Sequence, residues 1–249
     1  MPTDKLQAAR YEFKYVIDEH AAHKIREFVL TFLEPDPYTA GKEGLGYAVH
    51  SLYLDSPNLL TMWAVIHGEK NRFKLRARFY DESGPVFCEI KRRANLVILK
   101  QRAVVRRDSI QQLLERAPAV HSALVEPENV RQIKALRNFC LLRDKIQARP
   151  SVYTSYMREG YERLGDNAVR VTFDRGLRAG KYHGGLEIAD LAAWPGPKMG
   201  GVLLELKFTD RFPDWMHTLV QWCDLTRTSF AKYVKCASLI HRLPNHTNL

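Results

Sequence analysis

The chain has no long apolar run, few cysteines and a shortage of acidic residues, and each lack removes a class of protein. No stretch approaches the roughly 18 consecutive apolar residues of a membrane-spanning helix. The opening segment MPTDKLQAARYEFKYVIDEH has no apolar run of signal-peptide type before its charges, so a cytoplasmic location is expected. The four cysteines, Cys88, Cys140, Cys223 and Cys236, lie far apart with no CxxC pair. That fits neither a zinc site nor a disulfide framework and implies reduced, mostly buried thiols. The motifs GxxxxGK[ST], HExxH and GxSxG are all absent, and the nine histidines have no metal-ligand spacing. Nothing therefore supports a nucleophile built on His or Cys.

With 249 residues and 45% hydrophobic content, the chain is long enough for one large core, and a single domain over residues 1–249 is expected. Lys and Arg number 38 against 28 Asp and Glu, a net charge of +10. The natural partner is an anion, whether nucleic acid, acidic membrane, nucleotide or polyphosphate.

Period-two alternation predicts eight strands, at about 10–17, 47–55, 71–80, 85–93, 97–106, 149–159, 168–175 and 201–208. The third, fourth and fifth are joined by short connections, which favours an antiparallel meander. Apolar residues at three-to-four spacing predict helices at about 19–33, 57–67, 108–116, 127–145, 213–223 and 229–242. Ser56 opens the second of these, and Asp108 with Ser109 opens the third. The Gly- and Pro-rich stretch 179–200 reads as irregular. Trp215 and Trp222, seven apart on one helix, read as core contacts, and the basic run Arg131, Lys134, Arg137, Arg143 and Lys145 reads as a solvated helix face.

Residues two apart on a strand share a face, and here the charges share faces systematically. Arg10, Glu12 and Lys14 oppose Tyr11, Phe13 and Tyr15. Arg72, Lys74, Arg76 and Arg78 oppose Phe73, Leu75, Ala77 and Phe79; Glu89, Lys91 and Arg93 oppose Cys88 and Ile90. Lys100, Arg102 and Arg106 form another such face, as do Arg170, Thr172 and Asp174, and then Glu205 and Lys207. An ordinary half-exposed sheet mixes Ser, Thr, Gln and both charges on its wet side. Recurrent paired cations on strand after strand, with six helices needing apolar surface to cover, point instead to an α+β fold. Its expected architecture is an eight-stranded antiparallel β-barrel with a charged lumen and helices on the outside. So many like charges in a partly desolvated lumen imply a bound polyanion. The lumen carboxylates Glu12, Glu89 and Glu205 are suitable oxygen ligands for Mg²⁺ or Mn²⁺ bridging to phosphate.

In order, RYEFKYVI, SLYLDS, KLRARFY, CEIKRR with KQRAVV, the string from Tyr153 to Arg158, VRVTFDR, LLELKF and SFAKYVK resemble the VTC-type polyphosphate polymerase domain. That domain belongs to the triphosphate tunnel metalloenzyme, or CYTH-like, superfamily, and the resemblance covers about residues 8–240. The superfamily's opening ExExK is matched by Arg10, Glu12 and Lys14. Arg in place of the first Glu suits the polymerase branch better than the triphosphatase or cyclase branches, and leaves a second metal ion unsupported.

Carried over by position, the resemblance implies a catalytic set of Lys14, Arg76, Arg78, Lys91 and Arg170. It implies further phosphate contacts from Arg10, Lys74, Lys100, Arg102, Tyr156, Arg158, Lys207, Lys232 and Lys235, with Glu205 as principal metal ligand beside Glu12 and Glu89. The implied reaction transfers the γ-phosphoryl group of ATP to inorganic polyphosphate. The nucleophile is then an ionised phosphate oxygen and needs no general base. Hydrolysis of triphosphate by metal-activated water, non-catalytic phosphate sensing, and nucleic-acid binding stand as alternatives. The last is disfavoured because the alternating aromatics would lie under helices rather than form stacking platforms. Eukaryotic members of the family sit in membrane complexes, so a separate membrane partner remains open for this chain.

Overall fold

The computed structural model describes residues 9–41, 46–95, 97–163, 166–188 and 190–243, with only the backbone of 9, 10, 166 and 167. In chain order the elements are β1 (Ala9–Ile17), α1 (Glu19–Leu30), β2 (Glu34–Pro35), β3 (Tyr47–Asp55), α2 (Leu60–Ile66), β4 (Asn71–Phe79), β5 (Val86–Ala94) and β6 (Val97–Val105). They continue with α3 (Arg107–Leu114), α4 (Val130–Lys145), β7 (Arg149–Arg163), β8 (Asp166–Lys181), β9 (Val202–Phe208), α5 (Asp214–Trp222) and α6 (Lys232–Ile240). Every predicted strand and helix is present, and the two-residue β2 is added.

Pairing is antiparallel throughout and runs β7-β3-β4-β5-β6-β1-β9-β8, with β8 pairing back onto β7. Eight strands thus form a ring. β2 continues the β3 edge of β7, at Tyr161 and Glu162. The narrowest seam among the described residues is β1 with β6, where Ala9↔Leu99 and Arg10↔Ile98 are in register. β7 and β8 run past their predicted ends as one long hairpin, and shifts at Ser155/Met157 and Glu162/Arg163 bend them around the ring.

Alternation along the strands decides which side is apolar, and that side faces outward. Leu52, Leu75, Cys88, Ile90, Ala103 and Val105 pack under α3 and α4 through Ile110, Leu113, Leu136 and Phe139. On the other flank Tyr15, Val171, Phe173, Leu204 and Leu206 receive Ile25 and Val29 of α1 with Met216 and Leu219 of α5. Arg143, expected on a solvated face, is fully buried and ties α4 to α3 through the carbonyls of Leu113 and Ala117. Trp215 stacks on Phe32 at 4.8 Å, whereas Trp222 is 61% exposed, which corrects its reading as a core residue. α3 starts one residue ahead of Asp108, which sits in its first turn rather than capping it.

α6 packs on the lumen side instead of the outside. Tyr233, Val234 and Cys236 join Tyr53, Tyr156 and Leu203 in a third cluster with α2, so this helix fills part of the ring. Its anchor is Asp55, buried at the end of β3. The Asp55 carboxylate accepts from the backbone N–H groups of Ser56, Thr61 and Met62, from Thr61 Oγ1, and from Tyr233 Oη at 2.5 Å. One side chain thus caps α2 and holds α6 in place. Asp55→Ala strands these buried donors and is expected to lower the unfolding free energy by about 3 kcal/mol. Urea denaturation reads the loss, and a change below about 1 kcal/mol would mean that α2 and α6 do not depend on this carboxylate.

Candidate functional site

Inside the ring lies a cavity of about 1390 Å³. Basic side chains far outnumber carboxylates along its wall. Lys14, Lys74, Arg76, Arg78, Lys91, Lys100, Arg102, Tyr156, Arg158, Arg170, Lys207 and Lys232 all line it, as do Glu12 and Glu205. Arg10 has its backbone in β1, but its side chain lies outside the described residues. Two expected residues are not on the wall. Lys235 points away, its ammonium 5.0 Å from the Phe230 ring centre; one turn along α6 from Lys232, it is carried off the lumen face.

Glu89 is the second correction. It is fully buried behind the wall, and cross-strand register places it between Arg76 on β4 and Arg102 on β6. Its oxygens take Arg76 at 2.6 Å, Arg102 at 2.7 Å and Lys100 at 2.8 Å. Despite its burial, Arg76 and Lys100 hold its carboxyl far below the usual carboxylate range. With three cations on its oxygens and no place on the cavity wall, Glu89 orients basic side chains and does not face the lumen where a metal ion would sit. Arg76 is further fixed by donating to Tyr53 Oη at 3.2 Å.

Arg78 and Lys74 are among the cations that face the cavity with no carboxylate in ion-pair range among the described residues. Arg78 donates only to hydroxyls, Ser51 Oγ and Tyr156 Oη, each at 3.2 Å. Lys74 lies over the Tyr233 ring at 5.6 Å; burial, followed by Lys14 and Lys91, pushes its pKa well down. An ammonium among like charges and a guanidinium held by neutral groups form a ready-made anion site.

The carboxylates collect on the opposite wall. Lys14 Nζ is 3.2 Å from Glu12, 3.7 Å from Glu205 and 2.7 Å from the Phe230 carbonyl, to which it donates. Lys91 pairs with Glu12 at 2.9 Å, Lys207 with Glu205 at 2.7 Å, and Lys232 reaches both Glu205 and Asp174. Arg158 grips Asp174 with two bonds of 2.7 Å. Burial raises the Glu12 carboxyl, but Lys91 and Lys14 outweigh it and the net pKa is strongly lowered.

The metal question turns on Glu12 and Glu205. Among the described residues no group of three or more His, Cys, Asp or Glu forms a metal cage. Glu12 and Glu205 nevertheless share one cation, Lys14. Two carboxylates focused on one positive point suit an ion that takes its other ligands from phosphate and water, as Mg²⁺ commonly does.

Sequence reasoning passed over Tyr53, Ser51 and Tyr47. They share one face of β3 with no charge to mark it, and only the parity of that strand could have shown it. Asp36 was also missed, since it lies in a turn. It is buried and accepts from Arg170 and, at 3.0 Å, from Tyr47 Oη.

A closed antiparallel ring with a cationic lumen and carboxylates gathered on one wall defines a protein of the triphosphate-tunnel class. Solved structures agree in fold. One is a candidate adenylate cyclase from Bacillus halodurans, with a TM-score of 0.50 and 12% identity over 90% of this chain and 96% of that one. Another is a candidate adenylyl cyclase from Hippeastrum, described as having a dominant triphosphatase activity. It gives a TM-score of 0.50 and 11% identity over 96% of this chain and 98% of that one. No curated protein sequence matches. The model of the VTC domain matches residues 9–241, and the chain belongs to the VTC domain family. That membership carries a function related to polyphosphate or triphosphate. Among the described residues no helix is long and apolar enough to cross a membrane.

Burial lowers Lys207 to about 7 against the opposing pull of Glu205, and lowers Lys100 to about 8 against Glu89. Both are depressed from the ordinary lysine value. Stability of the empty tunnel therefore falls as pH drops from that value toward these two, while the lumen gains positive charge. Tripolyphosphate is expected to bind several-fold more tightly at about pH 6.5 than at about pH 8.5, as calorimetry would read. Lys207→Arg, charged at both values, is expected to flatten the dependence. An unchanged slope in that variant would place the titrating group elsewhere.

Proposed function

We propose that this chain is an ATP-dependent polyphosphate polymerase that works inside the tunnel. The observation that carries the proposal is the pair Arg78 and Lys74, cations facing the cavity with no carboxylate against them among the described residues. Beside them lie Arg76, Lys91, Lys100 and Arg102, most of them oriented by Glu89.

A terminal oxygen of the growing chain attacks the γ-phosphorus of ATP. The bond from that phosphorus to the β–γ bridging oxygen breaks, and ADP leaves with the electron pair. The attacking oxygen is already ionised, so no side chain has to accept a proton. Lys14, Arg76, Arg78, Lys91 and Arg170 neutralise the equatorial oxygens and hold attacking and leaving groups in line. Arg158, Lys207, Lys232 and Tyr156 bind the remainder of the chain. A divalent ion, Mg²⁺ or Mn²⁺, held by Glu205 and Glu12 would neutralise further phosphate charge. Phosphate oxygens would take the place of Glu12 and Glu205 on Lys14, while Glu205 keeps Lys207, Lys232 and Arg158 beside it.

Hydrolysis in the same tunnel is a second reading. It is favoured by the triphosphatase activity described for the Hippeastrum protein of like fold. Incubation of the purified protein with ATP and Mg²⁺ or Mn²⁺ separates the two. Polyphosphate chains on a gel with stoichiometric ADP are expected, reduced by about a hundredfold or more in Arg76→Ala and in Glu205→Ala. Free phosphate without chains would instead establish a hydrolase. Tight tripolyphosphate binding with no turnover would make the protein a phosphate sensor.

A further inference from the structure

One end of the cavity differs from the rest. Its walls there are formed by the start of β3, the end of β4, the start of β5 and the turn after β2, and they carry aromatic rings beside the ion pair of Arg170 with Asp36. Tyr38, Tyr47, Tyr80 and Phe87 all line this mouth. Tyr38 and Tyr80 stack at 4.8 Å with 30° between planes, Tyr38 meets Tyr47 at 5.2 Å, and Tyr80 meets Phe87 edge-on at 5.6 Å. Tyr38 remains 38% exposed. Tyr80 and Tyr47 both contact its ring, and the exposed part of Tyr38 lies at the cavity wall.

The position of Tyr38 is built into the fold. Asp36, two residues before it, accepts from the backbone N–H groups of Tyr38 at 3.2 Å and Thr39 at 2.8 Å, and Thr39 Oγ1 accepts from Gly160 N–H at 2.9 Å. Gly160 permits this approach, because a Cβ there would lie 2.2 Å from Asp36 Oδ2. The same Asp36 holds Arg170, whose guanidinium also donates to Tyr47 Oη at 3.2 Å. An aromatic platform and a phosphate-binding cation are thereby clamped together by one carboxylate.

A phosphate chain makes no use of the apolar face of a ring, but a nucleobase does, since stacking on an aromatic side chain is a main source of base affinity. We infer that this aromatic mouth is the nucleoside subsite, with Tyr38 as the stacking platform and Arg170 below it receiving the phosphate end of the same nucleotide. The inference rests on the proposed use of ATP in the tunnel and gives the substrate a direction, with the base at the mouth of Tyr38 and the phosphates leading inward. Stacking accepts any base, so the platform selects nucleoside triphosphates as a class and does not distinguish ATP from GTP.

Calorimetric binding of ATP, GTP and tripolyphosphate to the wild type, Tyr38→Ala and Tyr38→Phe tests it. The alanine variant is expected to lose about tenfold in affinity for ATP and for GTP while keeping its affinity for tripolyphosphate, which also shows that it is folded. Tyr38→Phe keeps the ring and is expected to match the wild type. Equal affinity of wild type and alanine variant for ATP would overturn the inference alone, as would an equal loss for ATP and tripolyphosphate, the mark of a mouth whose rings serve only packing. A wild type that binds none of the three would overturn the phosphate-chain reading and this inference with it.

Discussion

Buried positive charge that the protein itself leaves unbalanced is the constraint on which the rest of this structure depends. Desolvated cations repel one another and lose hydration, and both effects are large at low dielectric. The fold answers with carboxylates placed behind or beside the cations. Glu89 alone meets Arg76, Lys100 and Arg102, and Glu205 meets Lys14, Lys207, Lys232 and Arg158. Arg78 and Lys74 are among the cations with no carboxylate in ion-pair range among the described residues, and they face the cavity. A site whose own hub residues hold some of its cations in place while others have no carboxylate in ion-pair range is preorganised for an anion.

The apolar exterior follows from the same arrangement. Because alternate residues point inward and carry charge, the outward set is continuous Leu, Ile, Val, Phe and Ala, and α1, α3, α4 and α5 find their packing surface there. α6, packed with α2, enters the ring with its N-terminal Lys232, which is held by Asp174 at 2.5 Å and Glu205 at 2.8 Å. Tyr233, the next residue, reaches Asp55 at the end of β3. The lumen thus has one wall of helix, and Lys232 is positioned by the same carboxylate that collects Lys14 and Lys207.

Much of this was legible from residue order because a strand's period of two is local. The charged faces of β1, β4, β5, β6, β8 and β9 could be read from the spacing of Arg, Lys and Glu, and they are the faces that line the tunnel. What was not legible depends on which strands are neighbours. Glu89 shares the lumen face by parity, yet it is saturated because Arg76 and Arg102 are its direct cross-strand partners, and no single strand contains that fact. β3 carries Tyr47, Ser51 and Tyr53 inward with no charge to announce them. Lys235 follows Lys232 by three residues, but the pitch of α6 sets it over Phe230. The aromatics expected only under helices also appear at the mouth, where a turn brings Tyr38 against Tyr80 from a distant strand.

The most direct test of the central claim is the thermal unfolding of the protein with and without tripolyphosphate, at ionic strength matched by sodium chloride. If uncompensated lumen charge is the organising feature, a polyanion that fills the tunnel removes a standing repulsion. At about a hundred times its dissociation constant it is expected to raise Tm by about 5 °C or more, where sodium chloride alone does not. An equal response to both would mean that surface screening accounts for the effect and that the lumen is no anion site.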